Sequence, residues 1–188
     1  MITTTSDNRV YVACLACYNE GTLSGVWMNH EELDIAWDHN WEEDSTGERI
    51  LCKHKHHEEW AIHDYDGDIH RLGLGEHPDI HELIKIMELL DDTDPSVIVP
   101  AFLLCQHIKG DFGIHFKADD VDMMTVDMYC IDDVGEWASE FFEGCYSWWD
   151  ELPSIIVSAI NWDDVGQDLL HDYYHIEYGH YIYATHAY

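Results

Sequence analysis

The chain has 188 residues, 8 of them Lys or Arg and 39 Asp or Glu, for a formal net charge of -31 at pH 7. Self-repulsion of this size disfavours direct binding to nucleic acid or to an anionic membrane, so a charged partner is expected to be basic. Disorder does not follow from the charge, because 46% of residues are hydrophobic and 13% aromatic, with eight tryptophans, and such a chain can bury a core.

Length allows one ordinary domain or two to three small ones. No apolar run follows a basic N-terminal segment and none approaches ~18 residues, so neither secretion nor membrane spanning is expected and a cytoplasmic location is the default. The six cysteines, Cys14, Cys17, Cys52, Cys105, Cys130 and Cys145, lack the density of a secreted scaffold and read as reduced thiols.

Val10, Val12 and Cys14 alternate with Tyr11 and Ala13, predicting a strand over Val10 to Cys17. Turn residues Tyr18 to Gly21 follow, then a second strand over Leu23 to Met28. Glu31 to Trp41 sets Leu33, Ile35, Ala36 and Trp37 among acids and predicts a short helix. Asp44 to His57 is polar, carries three of the eight basic residues, and reads as an extended loop or hairpin tip. Glu58 to Tyr65 returns as a strand.

Pro78, Asp79 and Glu82 open a helix whose apolar face is Ile80, Leu83, Ile84, Met87 and Leu90. The next helix is placed from Pro100 to Ile108, because proline removes a backbone donor. Asp133 and Glu136 form a capping pair before Val134, Trp137, Ala138 and Phe141, with Gly144 as the stop. Pro153 starts a helix bearing Ile155, Ile156, Ala159 and Ile160. Tyr173 to Glu177 and His180 to Thr185, joined around Tyr178-Gly179, predict a closing hairpin. The fold class is α+β in three small units: an N-terminal sheet with helix over 8–77, a mostly helical centre over 78–117, and an acidic unit of helices and a small antiparallel sheet over 118–188.

Charge distribution is more informative than its total. After Lys117 there is no lysine or arginine in 71 residues, which hold 16 acids. An ordinary acidic surface interleaves both signs. A solvated acidic face or adaptation to high salt are the plain explanations, against which stand the many large aromatics and the uneven charge. The functional explanation is imitation of DNA, which carries one charge per ~1.7 Å of axis; at that density 31 excess carboxylates cover roughly 53 Å. A compact globule of this length has a diameter near ~40 Å, so a charge track of that kind requires an elongated protomer.

Chemical motifs give little. Cys14 and Cys17 form a lone C-x-x-C, but within one strand they would point to opposite faces, unlike zinc-knuckle ligands. The densest histidine cluster is Cys52, His54, His56 and His57. On a strand His54 and His56 would share a face, and the plain reading is a polar loop tip with adventitious metal affinity. Asp64, Asp66 and Asp68 alternate like the start of an EF-hand loop, yet Gly67 is at loop position four rather than six and Gly75 stands where glutamate belongs. His77 with His81 and His171 with His175 are spaced i, i+4 without forming H-E-x-x-H. Acid pairs such as Glu58-Glu59 are expected by chance in so acidic a chain. There is no phosphate-binding loop, dinucleotide fingerprint, nucleophile elbow or basic patch. No catalytic residue, metal ligand or cofactor is assigned, and the chain is read as a non-enzyme.

Val10 to Ala13, Tyr18 to Gly21, Gly25 to Trp27 and above all the run EEWAIHDYDG from Glu58 resemble the ArdA-type antirestriction proteins. Looser similarity extends through Leu152-Pro153, Asp163 to Leu170 and the closing hairpin. The resemblance implies an elongated α+β protomer, homodimerisation, and inhibition of type I restriction-modification enzymes by occupying their DNA-binding groove, as mobile elements and phages use to protect incoming DNA. Ser45 to His57, with Lys53 and Lys55, departs from the family pattern in being longer and more basic. The partner-binding surface is assigned to Glu58, Glu59, Asp119, Asp120, Asp122, Asp127, Asp132, Asp133, Glu136, Glu140, Glu143, Asp150, Glu151, Asp163, Asp164, Asp168 and Asp172. Another basic partner, such as a CRISPR effector, nucleoid protein or repressor, fits the same charge. Trp60 and Ile62 are assigned structural duty on one face of a half-buried strand.

Overall fold

The computed structural model describes residues 8–39, 41, 51–54, 57–111 and 117–186. The architecture is α+β, with two three-stranded antiparallel sheets. The chain forms two compact units, residues 1–99 with 117–122 and residues 100–116 with 123–188.

In the first unit, β1 (Arg9–Cys14) lies between β2 (Gly25–Met28) and β3 (Trp60–Asp66). As the central strand it buries Val10, Val12, Ala13 and Cys14, which explains its near-continuous apolar sequence. Gly25 faces Ala13, and a Cβ there would stand 2.3 Å from the carbonyl oxygen of Val12, so only glycine fits. The predicted strand over Val10 to Cys17 is too long: β1 stops at Cys14 and Leu15 opens α1 (Leu15–Asn19). That helical turn closes through Glu20 N–H to Ala16 O and Thr22 N–H to Cys17 O, with Gly21 at φ 82° completing the corner.

The EEWAIHDYDG run forms β3, but its register slips: Tyr11 faces Asp64 while Val12 faces Ile62. This bulge interrupts the alternation of β3 beyond Ile62. Ala61 and Ile62 are buried, Trp60 is half-buried against Trp37 and Trp41, and Asp64 is exposed. Asn8 pins the sheet, its buried amide donating to Asp91 Oδ1 (2.9 Å) and accepting from Ile69 N–H (3.0 Å).

α2 (His30–Asp38) starts in a full capping box of Asn29 and Glu32. α3 (Ile80–Asp92) is capped by Asp79, so Pro78 precedes the cap rather than opening the helix. α4 (Pro95–Asp111) corrects the placement of a start at Pro100: Pro95 opens it and Pro100 sits inside. Asp94 holds its first turn by accepting from the Ser96 N–H (2.9 Å) and hydroxyl (2.8 Å). A proline at that depth costs about 3 kcal/mol through its lost hydrogen bond and ring clash. Full burial of Ile98, Val99, Ala101, Phe102 and Leu104, each ~1–3 kcal/mol for the larger side chains, more than offsets it.

α5 (Ala118–Asp127) leads to β4 (Tyr129–Ile131), a three-residue strand that sequence alone did not indicate. α6 (Val134–Cys145) begins where expected, capped by Asp133 accepting from Glu136 N–H (2.8 Å), and continues one residue past Gly144. The helix from Pro153 is only α7 (Ser154–Val157), shorter than predicted, leaving Ile155 and Ile156 exposed. α8 (Trp162–Leu170) follows. β5 (Tyr173–Tyr178) and β6 (Tyr181–His186) form the expected hairpin, with Gly179 at φ 67° in the turn and Tyr178 facing Tyr181. β6 is central, between β4 and β5. No described helix is long and apolar enough to cross a membrane.

Candidate functional site

Of the seventeen acids assigned from sequence, all are exposed except the half-buried Asp120, whose carboxylate accepts from Lys117 N–H (2.7 Å). Glu58, Glu59, Asp119, Asp120 and Asp122 belong to the first unit and the other twelve to the second. The densest convergence is in the second, where α6 and α8 pack. Glu136, Glu140 and Glu143 lie three or four residues apart on one exposed helical face. Their spacing is about 5 Å of helix axis per carboxylate, against ~3.4 Å per charge along one DNA strand. Asp133, Glu136 and Glu140 line one side of an open cleft of about 560 Å³, and Asn161, Trp162 and Asp163 line the other. Asp164 is held by the Asn161 amide (2.7 Å). Asp168 lies further along α8, and Asp172 follows it.

Glycine sets this approach. A Cβ on the buried Gly166 would lie 2.4 Å from Val134 O, and one on Gly135 would lie 2.7 Å from Asp163 Oδ1. The two helices therefore touch backbone to backbone, which brings Asp163 beside the N-terminus of α6, where carboxylates are favoured. Sequence reasoning found the acids but not the glycines, whose signal is two small residues inside short amphipathic helices, Gly135 at the second position of α6 and Gly166 at the middle of α8.

The second unit contains a single lysine, Lys109, against fourteen acids. The first unit compensates some of its own: Arg9 pairs with Asp66 at 2.5 Å, Arg71 with Asp68 at 3.1 Å and Lys85 with Glu82 at 3.4 Å. Asp66 and Asp68 are thus engaged by arginines and do not form a calcium loop with Asp64.

A different group of side chains meets at the β1–α1 corner. The helical turn brings Cys17 back beside Cys14, so the two do not point to opposite faces as a strand would require, and both meet Cys52 and His57. The His54 ring lies tilted against that of His57, with centroids 4.6 Å apart, while His56 lies outside the described residues. Burial, followed by the neighbouring thiols Cys14 and Cys52, pushes the Cys17 thiol up to about 12. His77 and His81 do not share a helical turn, since only His81 lies in α3, where it accepts from Trp37 Nε1 at 3.4 Å. His171 and His175 are likewise divided between the end of α8 and β5.

Fold and surface define the class: an α+β protein with two small antiparallel sheets and an acidic chain that has no lysine or arginine after residue 117. The chain belongs to the ArdA antirestriction protein family, whose family model matches residues 10–182, and its role is accordingly antirestriction, directed at restriction-modification enzymes. No curated protein matches it.

Proposed function

We propose that the chain blocks restriction by presenting carboxylates where a type I restriction-modification enzyme holds DNA phosphates, occupying the DNA-binding groove without chemistry of its own. The observation that carries this reading is the exposed acidic face of α6 and α8, set in a 71-residue segment with no lysine or arginine. Long-range attraction to a basic groove accelerates encounter, and many weak contacts then sum. The inhibitor acts as a homodimer in the cytoplasm of a bacterial host. Exposed apolar side chains such as Ile155 (74% exposed) and Ile156 (49%) supply surface for self-association.

The test is inhibition of DNA cleavage across an amide series at two salt concentrations, with folding checked by circular dichroism. Each exposed carboxylate contributes ~0–1 kcal/mol, so Asp119→Asn or Glu143→Gln alone leaves inhibition nearly intact. Joint replacement of Asp127, Asp132, Asp133, Glu136, Glu140, Glu143 and Asp163 weakens it progressively, and added salt weakens the wild type. Inhibition is stoichiometric. A single amide that abolished binding while the joint set left it unchanged would sink the distributed mechanism, and inhibition by turnover would sink the non-enzymatic one.

A further inference from the structure

The geometry points to a structural zinc site, with Cys14, Cys17, Cys52 and His57 as its four ligands. It does not depend on the acidic surface. Three sulfurs converge on one nitrogen: the Sγ atoms of Cys14, Cys17 and Cys52 lie 3.5, 3.4 and 3.7 Å from Nδ1 of His57. A ring nitrogen has one proton to give or one lone pair to accept with, so hydrogen bonding accounts for one of these contacts and leaves two unexplained. A central ion accounts for all three. With Zn–S about 2.3 Å and Zn–N about 2.0–2.1 Å at tetrahedral angles, sulfur and nitrogen ligands stand about 3.6 Å apart. All four ligand atoms lie within 4.8 Å of one another.

Sequence spacing and burial agree with this. The ligands run C-x2-C and then C-x4-H, within the ranges of structural zinc sites. Cys14, Cys17 and Cys52 are 1%, 3% and 6% exposed, and among the described residues the partly buried hydrophobics packed against their cluster are Ala16 and Leu51. Three thiolates and an imidazole suit a borderline-soft ion rather than calcium or magnesium. Four protein ligands leave no open position, which makes the site structural rather than catalytic. Behind the first ligands, Glu20 Oε1 lies 3.8 Å from His57 Nε2, on the side of the ring away from the sulfurs. The ring of His54 reaches one of the three sulfurs, with its Nδ1 3.6 Å from Cys17 Sγ, and it is not assigned as a ligand.

Binding releases the three thiol protons to solvent, changes no oxidation state, and leaves a site of net charge -1. It clips the β1–α1 corner to Cys52 and His57, on the segment that departs from the family pattern.

Untagged reduced protein, dialysed against chelator-treated buffer, is expected to retain one zinc per chain by elemental analysis. Stripped protein should saturate at one equivalent while releasing protons. Zinc should protect Cys14, Cys17 and Cys52 from alkylation and leave Cys130 and Cys145, both exposed, reactive. Cobalt in its place should give thiolate charge-transfer bands and intense tetrahedral ligand-field bands. X-ray absorption on the wild type should report three sulfurs and one nitrogen, independently of whether any variant folds. Cys52→Ser and His57→Ala should lose the cobalt signature, and Cys145→Ser should keep it. Zinc lost on dialysis, a shell without sulfur, or an unchanged cobalt spectrum in His57→Ala would overturn the assignment.

Discussion

Replacing Gly166 by alanine and Gly144 by alanine should move stability in opposite directions, although both glycines are helical and both replacements add one methyl. In an open helix position alanine is favoured over glycine by about 0.8–1 kcal/mol. Gly144, exposed near the end of α6, has no atom within 4 Å of the new Cβ, so Gly144→Ala should stabilise by about 0.5–1 kcal/mol. At Gly166 the methyl would meet Val134 O at 2.4 Å and Val134 Cγ1 at 2.5 Å. Reaching ordinary contact means moving a helix backbone by about 1 Å, and overpacking of this kind costs ~1–3 kcal/mol, which exceeds the propensity gain. The expected net loss for Gly166→Ala is up to about 2 kcal/mol, or up to roughly 8–16 °C in the melting temperature of a domain of 60–100 residues. Calorimetry reads the shift, and hydrogen exchange of the α8 amides shows whether it arises there. If Gly166→Ala melted at or above the wild-type temperature, the backbone contact between α6 and α8 would be refuted.

Three further outcomes are expected. Asn8→Ala should destabilise the first unit by about 1–3 kcal/mol, because it orphans the buried Ile69 N–H and takes one donor from Asp91, which keeps His30, whereas Arg9→Ala should cost no more than about 1 kcal/mol, its pair with Asp66 being half-exposed; chemical denaturation compares them. Asp94 is held below its ordinary carboxylate value by the Ser96 N–H and then the Ser96 hydroxyl. Since the folded value is the lower one, the stability it lends α4 is complete above the unfolded carboxylate range and is lost as pH falls through the folded value, which a carbon-detected NMR titration of its carboxyl would locate. Trp162→Phe should loosen the start of α8, since its indole N–H donates to Val157 O at 3.1 Å; near-ultraviolet circular dichroism reports the change.

The elements legible in the sequence are those whose signals are local. The closing hairpin has alternating aromatics around Gly179, and α6 has its cap written three residues apart at Asp133 and Glu136. α1 escaped because Leu15, Ala16 and Cys17 prolong the apolar run of β1, and only the turn hydrogen bonds separate strand from helix. α4 was misplaced because Pro100 is a strong local breaker, while the burial that overrides it is tertiary. The acids were legible as composition, but not their gathering on α6 and α8, which depends on Gly135 and Gly166. The cysteine–histidine cluster was least legible. Its halves lie far apart in the chain, and placing Cys14 and Cys17 in one strand made the pair look unable to share a ligand.

The uneven pairing of charge gives the two units different relationships with salt. In the first, Arg9, Arg71 and Lys85 each pair with one carboxylate, among seven basic residues for twenty-five acids. The second has one lysine for fourteen acids, so a larger share of its charge is left to dissolved cations. Its carboxylates feel one another over ~30 Å at 0.01 M salt but only ~10 Å at 0.1 M. Sodium chloride therefore firms the folding of the acidic unit in the same concentration range where it loosens any hold that unit has on a basic surface, and the ions that complete the structure are competitors for its charge.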